Sequence, residues 1–139
     1  MKADDLKTRL AATDIFQGMS KRALGQLVKT GREVDHPDGA EVIVEGAGAV
    51  GFHLITNGKA RVTSAGAVRR TLGVGDYFGE ISVIDGKPRS ASVEAVGALT
   101  TFVLDPYMLQ ILIRDNPDVA HTLLMVLCAR LREAERRNG

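Results

Sequence analysis

The sequence predicts a mainly β protein of the α+β class, a sandwich or barrel of antiparallel strands set between helical ends. Three observations predict it. Apolar residues recur at helical spacing near both ends of the chain. Between residues 32 and 104 they switch to short strand-type runs. Those runs are punctuated by many of the 15 glycines, against 4 prolines in the whole chain, which marks tight turns between short strands rather than disorder.

The elements follow in order. Residues 4–12 place Leu6 and Leu10 four apart with Lys7 and Arg9 between them, a short amphipathic helix. Ser20 can cap a second helix, whose Leu24, Leu27 and Val28 share one face and which Gly31 ends. Strand-type runs occupy 41–44, 52–55 and 60–63. Asn57-Gly58 between the last two predicts a hairpin, because both residues tolerate positive φ. Residues 68–72, 90–96 and 99–104 continue the pattern, and a further strand ends at Phe78. Asp105-Pro106 and Asn116-Pro117 then each open a helix, since proline suits a first turn and Asp105 can cap it. On the longer helix Val119, Leu123, Leu127 and Leu131 form a stripe at four-residue spacing. The stripe can pack on the barrel, on a second copy, or on each in turn. Arg130, Arg132, Arg136 and Arg137, interleaved with Glu133 and Glu135, read as a solvated helix end.

Several function classes are excluded. A chain of 139 residues fits one domain, with 45% hydrophobic and 25% charged residues. A net charge of +1 is too balanced for bulk nucleic-acid binding. Cys128 stands alone, so no internal disulfide forms. It fits a reducing compartment and is expected to be a small core residue. The apolar run at 122–129 falls far short of a bilayer span, and Asp4 and Asp5 stand where a signal peptide needs apolar residues. A cytoplasmic chain with no membrane partner is expected. His36, His53 and His121 lack partners at metal-ligand spacing, and no nucleophile elbow or P-loop is present, so no catalytic residue, metal or cofactor is expected. Residues 46–51 spell G-x-G-x-x-G, but a strand rather than a helix is expected to follow. No acidic residue stands about 20 positions on, so this is a glycine-rich turn rather than a dinucleotide fingerprint.

The informative segment is 78–91, Phe-Gly-Glu-Ile-Ser-Val-Ile-Asp-Gly-Lys-Pro-Arg-Ser-Ala. Gly79 lets the backbone turn and approach a ligand. Ile81 to Ile84 can form one helical turn, whose N–H groups suit an anion. Pro88 stiffens the approach to Arg89. The segment therefore combines a carboxylate, an N–H nest and a guanidinium. A phosphate suits the nest and the arginine, and a ribose hydroxyl suits the carboxylate. A ligand that fuses the two groups satisfies all three. Taken singly, Glu80 could serve a helix dipole and Arg89 a surface pair with Asp85. Their occurrence together with Gly79, Pro88 and Ser90 favours the ligand.

This segment resembles the phosphate-binding cassette of the cyclic-nucleotide-binding domain family, F-G-E followed by P-R and a small residue. Upstream, 38–43, Glu45-Gly46 and 52–60 resemble the family's barrel signature. The resemblance covers nearly the whole chain. It implies an antiparallel, jelly-roll-like β-roll of about eight strands flanked by N- and C-terminal helices. As one domain over 1–139, it would place helices at 1–31, the β-roll with its cassette at 32–104, and helices at 105–139. Glu80, beside the Gly79 backbone, would accept from the ribose 2′-hydroxyl, and Arg89 would pair with the cyclic phosphate. N–H groups of the turn opened by Ile81, that of Ser82 among them, and of Ser90 would complete the cradle. The nine-residue step from Glu80 to Arg89 resembles the regulatory subunits of cAMP-dependent protein kinase more than the catabolite-activator type. Ser90 points to cAMP, with cGMP as the competing ligand.

Two departures stand out. Where catabolite-activator-type proteins set two hydroxyl residues against the adenine, an ungapped match from Asn116-Pro117-Asp118 places Ala134 and Glu135. The winged helix-turn-helix of the transcription-factor members has no counterpart in these residues, so direct DNA reading by this chain is not expected. The expectation is a cAMP sensor whose C-terminal helix responds to ligand and passes the change to an effector protein or to a second copy. The alternatives are an interaction module of the same fold that binds no nucleotide, and the regulatory piece of a larger enzyme or channel.

Overall fold

The computed structural model describes residues 2–43, 46, 51–79 and 91–138. They contain helices α1 (Ala3–Ala12) and α2 (Lys21–Thr30), with a 3-10 turn at Asp14–Phe16 between them. Strands β1 (Arg32–His36), β2 (Glu41–Ile43), β3 (Phe52–Ser64), β4 (Ala67–Leu72), β5 (Tyr77–Phe78) and β6 (Ser92–Leu104) follow. Helices α3 (Pro106–Asp115) and α4 (Pro117–Asn138) come last. The predicted class holds: an antiparallel sheet with helices before and after it in sequence, of six strands among the described residues. The chain forms two compact units, residues 29–110 and residues 1–28 with 111–139.

The β unit is built on two long strands. β3 and β6 pair antiparallel from Phe52 opposite Leu104 to Thr63 opposite Ser92. Each takes two further partners, one on each half. β6 pairs β1 over 99–103 and β2 at Val93 and Glu94. β3 pairs β5 at His53 and Leu54 and β4 over 60–64. The buried cluster of this unit includes Ile43, Ile55, Val62, Leu72, Phe78, Val93 and Leu99.

The hairpin expected at Asn57-Gly58 does not form. These residues are a bulge inside the continuous strand β3, between register breaks on either side of Asn57. Gly58 takes φ +89, the left-handed conformation a hairpin would use, and accommodates extra chain within the strand instead. The partner strand passes so close that a Cβ at Gly58 would lie 2.2 Å from the Ala98 carbonyl oxygen. Gly97 across the pair also has positive φ, so both long strands deform at the same level. For the same reason the runs 90–96 and 99–104 join into one strand over the described residues, β6. The turn that reverses the chain is Ala65-Gly66, with φ +51 and +78, between β3 and β4.

Gly31 does follow the end of α2, but not as a left-handed cap. Its φ lies outside that region, and a Cβ there would lie 2.2 Å from Cζ of Phe102, whose ring is fully buried. Close approach to the ring is what this position requires.

In the helical unit Leu6, Leu10, Ile15, Phe16, Leu24 and Leu27 are buried. Ser20 Oγ accepts from the Ala23 N–H at 3.1 Å, the expected cap. Asn116 works in both directions. Its side-chain amide donates to the Leu112 carbonyl at 2.9 Å, closing α3, while its own carbonyl accepts from the Val119 N–H at the start of α4. Along α4 the expected stripe divides. Val119 and Leu123 are buried and Leu127 is half-buried, but Leu131 is 61% exposed. Cys128, expected in the core, is exposed. It stands five residues beyond Leu123, a rotation of about 140° from the buried face of a helix. Among the described residues no helix is long and apolar enough to cross a membrane.

Candidate functional site

The segment 80–90 is bracketed by two strands. β5 delivers Phe78 and Gly79 to its start, and β6 takes up the chain at Ser92 after Ala91. Both strands pair with β3, at opposite ends: His53 lies opposite Phe78, and Thr63 opposite Ser92. Phe78 is 4% exposed and belongs to the β-unit core. Gly79 takes φ +92, the backbone freedom expected of it, and is half-buried. Glu80, Ile81, Ser82, Arg89 and Ser90 lie outside the described residues. Ala134 and Glu135, the positions matched to the base contact, lie on α4 and are exposed. The G-x-G-x-x-G run leads into a strand, β3, as expected of a turn rather than a dinucleotide loop.

Beside Phe78 lies a polar cluster that the sequence did not reveal. The His53 ring stacks on the Phe78 ring, centroids 4.8 Å apart and planes within 5°. His53 Nδ1 lies 3.0 Å from Thr101 Oγ1, and His36 Nε2 lies 2.9 Å from the same oxygen. Thr101 is fully buried and His53 is 4% exposed. Burial holds the His36 imidazole below its ordinary pKa, and the Asp35 carboxylate partly offsets this. The three residues come from β1, β3 and β6, separated by 48 and 65 positions from Thr101. No local spacing could announce them; only the pairing of three strands brings them together.

The architecture defines a class, an antiparallel β-roll with helices before and after it in sequence, and comparison with known proteins gives the family. The family model described as cyclic nucleotide-binding domain matches residues 33–116, and the chain belongs to that family. A CRP-like cAMP-activated global transcriptional regulator of Mycobacterium tuberculosis is 33% identical over 128 residues, covering 88% of this chain and 57% of the regulator. A cyclic nucleotide-gated potassium channel of Rhizobium etli is 32% identical over 130 residues, covering 94% of this chain and 35% of the channel. The crystal structure of the Thermus thermophilus catabolite activator protein aligns with a TM-score of 0.79 and 31% identity, covering 90% of this chain and 61% of that one. This chain thus spans less than two thirds of the length of each of these relatives. It is a cyclic nucleotide-binding regulatory domain.

Proposed function

We propose that this domain binds cAMP and passes the binding event to α4. The carrying observation is the F-G-E…P-R-S cassette, bracketed by β5 and β6 in a chain of this family. In this reading Glu80 accepts from the ribose 2′-hydroxyl beside Gly79, and Arg89 pairs with the cyclic phosphate. N–H groups of Ser82 and Ser90, and of the turn opened by Ile81, complete the cradle. No covalent step is involved and no metal takes part. The reading treats residues 1–139 as one domain, with its β-roll at 32–104 between helical segments 1–31 and 105–139. Ala134 and Glu135 offer the base no paired hydroxyls, so the lid over it is loose.

The partner of α4 is a second copy. His121, Leu124, Cys128, Leu131 and Glu135 recur at alternating steps of three and four, the spacing of a two-helix seam. Leu124 and Leu131 on that seam, and Met125 beside it, are each about 60% exposed. Arg132, Glu133 and Arg136 supply charges of both signs at its edges.

Calorimetric titration with cAMP, cGMP and 2′-deoxy-cAMP tests the reading. The expected order of affinity is cAMP, then cGMP, with the 2′-deoxy ligand much weaker than cAMP. Absence of heat with every nucleotide would leave the second reading, an interaction module of the same fold. That reading draws support from the lack of hydroxyl side chains at Ala134 and Glu135.

A further inference from the structure

Strand β1 lies at one end of the sheet order and, among the described residues, pairs only with β6. None of its five residues is buried: Val34 and His36 are half-buried, and Arg32, Glu33 and Asp35 are exposed. The stretch of β6 that it covers is the opposite, with Leu99, Thr101 and Phe102 inside the fold. An edge strand of this kind draws little stability from apolar area and belongs to the parts of a structure that open locally. Its side-chain ties therefore matter. On one face Asp35 accepts from the Thr100 hydroxyl at 2.9 Å, and on the other His36 Nε2 meets Thr101 Oγ1 at 2.9 Å.

The second tie does not end at Thr101. His36 stands opposite Leu99 and His53 opposite Val103, so each reaches Thr101 from a diagonal position. The three residues form one row across β1, β6 and β3, on the face that carries the buried Ile55 and Leu99, and Phe78 stacks on the far ring. A threonine hydroxyl has one proton to donate and lone pairs with which to accept. With both imidazoles neutral, one ring donates to Oγ1 and the other accepts its proton, which satisfies all three groups. With both rings protonated, each ring would donate and the hydroxyl proton would lose both acceptors, although Thr101 is fully buried. The rings would also carry like charges with centroids 6.1 Å apart. The closed row therefore resists protonation, and burial pushes the His36 imidazole below its ordinary pKa in the same sense. Facing charges do not reverse this. Asp35 offsets the shift only in part, from the other face of β1. Arg32 shares the face of His36 at the far end of the strand, and Glu33 lies with Asp35. Residues 99–103 of β6 and 52–56 of β3 bring no charged group besides His53, and β5 brings Tyr77, whose ring lies against Phe52. In the adjoining turns the Asp38 and Asp76 carboxylates accept from the Gly97 and Gly73 N–H groups, each at 2.8 Å.

We propose that His36 is a latch that closes β1 onto the sheet through Thr101, and that mild acid releases the strand. Once β1 lifts, His36 stands in water and takes a proton at its ordinary pKa, about 6.5. The released form then binds more protons than the closed one, so falling pH favours release. Removal of His36 also opens the row at its β1 end, where His53 can take a second proton. The close approach of Gly31 to the Phe102 ring holds the chain just before β1 and involves no titratable group. The strand is therefore freed from its His36 end. The device needs no ligand. It makes this edge of the β unit a pH-dependent surface, covered near neutral pH and with residues 99–103 of β6 uncovered in acid.

Amide exchange on the full chain, followed by NMR at about pH 7.5 and about pH 5.5, tests the latch. Amides of 32–36 are read against those of 60–63 in β3, and the ratio cancels the pH dependence of exchange itself. Protection of 32–36 relative to 60–63 is expected to fall at least about fivefold in acid, the effect of one proton taken up below about pH 6.5. His36→Gln, whose amide can still reach Thr101 but does not titrate, should hold the ratio constant. Thr101→Val, which deletes the shared hydroxyl, should lower protection of 32–36 already at pH 7.5, and Thr101→Ser should restore it. A ratio independent of pH in the parent chain would overturn the proposal. So would an equal fall in both segments, which is global unfolding rather than release of one strand. The same acid response in His36→Gln would show another group to be the trigger. Full protection in Thr101→Val at pH 7.5 would remove the hydroxyl as the anchor. If that variant does not fold, the parent chain and His36→Gln decide the matter between them.

Discussion

Arg89 is the residue on which the nucleotide reading turns. A guanidinium facing a cyclic phosphate in a partly desolvated site forms a charge pair, and removing one partner of such a pair costs about 2–5 kcal/mol. Arg89→Leu is expected to weaken cAMP binding at least tens-fold in calorimetry while leaving the thermal unfolding transition in place. Unchanged affinity would remove Arg89 from the site. The motif was legible because its residues are close in sequence and each has a separate chemical use. His36 and His53 illustrate the opposite case. No metal-ligand spacing surrounds them in the sequence, and none is needed, because their common partner is a threonine on a distant strand. His36 also gives a pH prediction. Its folded pKa is lowered by burial, with Asp35 working against the shift. The unfolded chain therefore binds more protons as pH falls through about 6.5, and stability is lost in that direction. The melting temperature of the parent is expected to fall between about pH 7.5 and pH 5.5, and His36→Gln should flatten part of that slope. An unaltered slope in the variant would show that His36 does not contribute.

At the scale of elements, the strands were legible by type and less so by connection. Helices α1, α2, α3 and α4 fall where periodicity and capping placed them, because Ser20 and Asp105 make local bonds that depend on near neighbours. Asn57-Gly58 meets the local requirement of a hairpin and of a bulge alike, so the sequence predicts a hairpin where β3 has a bulge. What decides between them is the partner strand, 40 residues on, which runs past the glycine at Ala98. This makes a testable contrast between two glycines. Gly39 has φ +77 with nothing within 4 Å of an added Cβ, whereas Gly58 has φ +89 and a carbonyl oxygen at 2.2 Å. Gly39→Ala should cost about 1–2 kcal/mol, the strain of left-handed backbone alone. Gly58→Ala should cost that and about 1–3 kcal/mol more for the forced separation of β3 and β6. Urea unfolding of the two variants measures the difference. Equal losses would mean that β6 yields freely at this level, and that the paired bulges do not hold the bend.

For the molecule as a whole, the burial pattern of α4 sets what the helix can do in the proposed response to ligand. The sequence showed a stripe and gave no sign of which part would be buried. That depends on where the surrounding chain leaves α4 uncovered, which no helical period records. Val119 and Leu123 are buried, whereas Leu124, Met125, Cys128 and Leu131 are exposed. The helix therefore has an anchored start and an unanchored later part, 22 residues in all. A helix end with few buried contacts opens readily, so it is drawn from the low-stability end of the structure. A ligand shifts such an equilibrium only by its differential affinity for the two states. In the proposed reading Ala134 and Glu135 supply the only lid over the base and bring no paired hydroxyls, so that differential is small and a modest shift is expected. Amide exchange should slow on cAMP addition chiefly over 127–135, and a second copy seated on the Leu124–Cys128–Leu131 seam should slow it further. Leu124→Glu with Leu131→Glu should abolish any concentration dependence in sedimentation and the oxidative cross-linking of Cys128, while cassette protection remains. Protection confined to 79–90, unchanged along α4 in both the parent and the variant, would identify a binder that does not transmit. The regulatory signal would then have to leave the domain through the β unit.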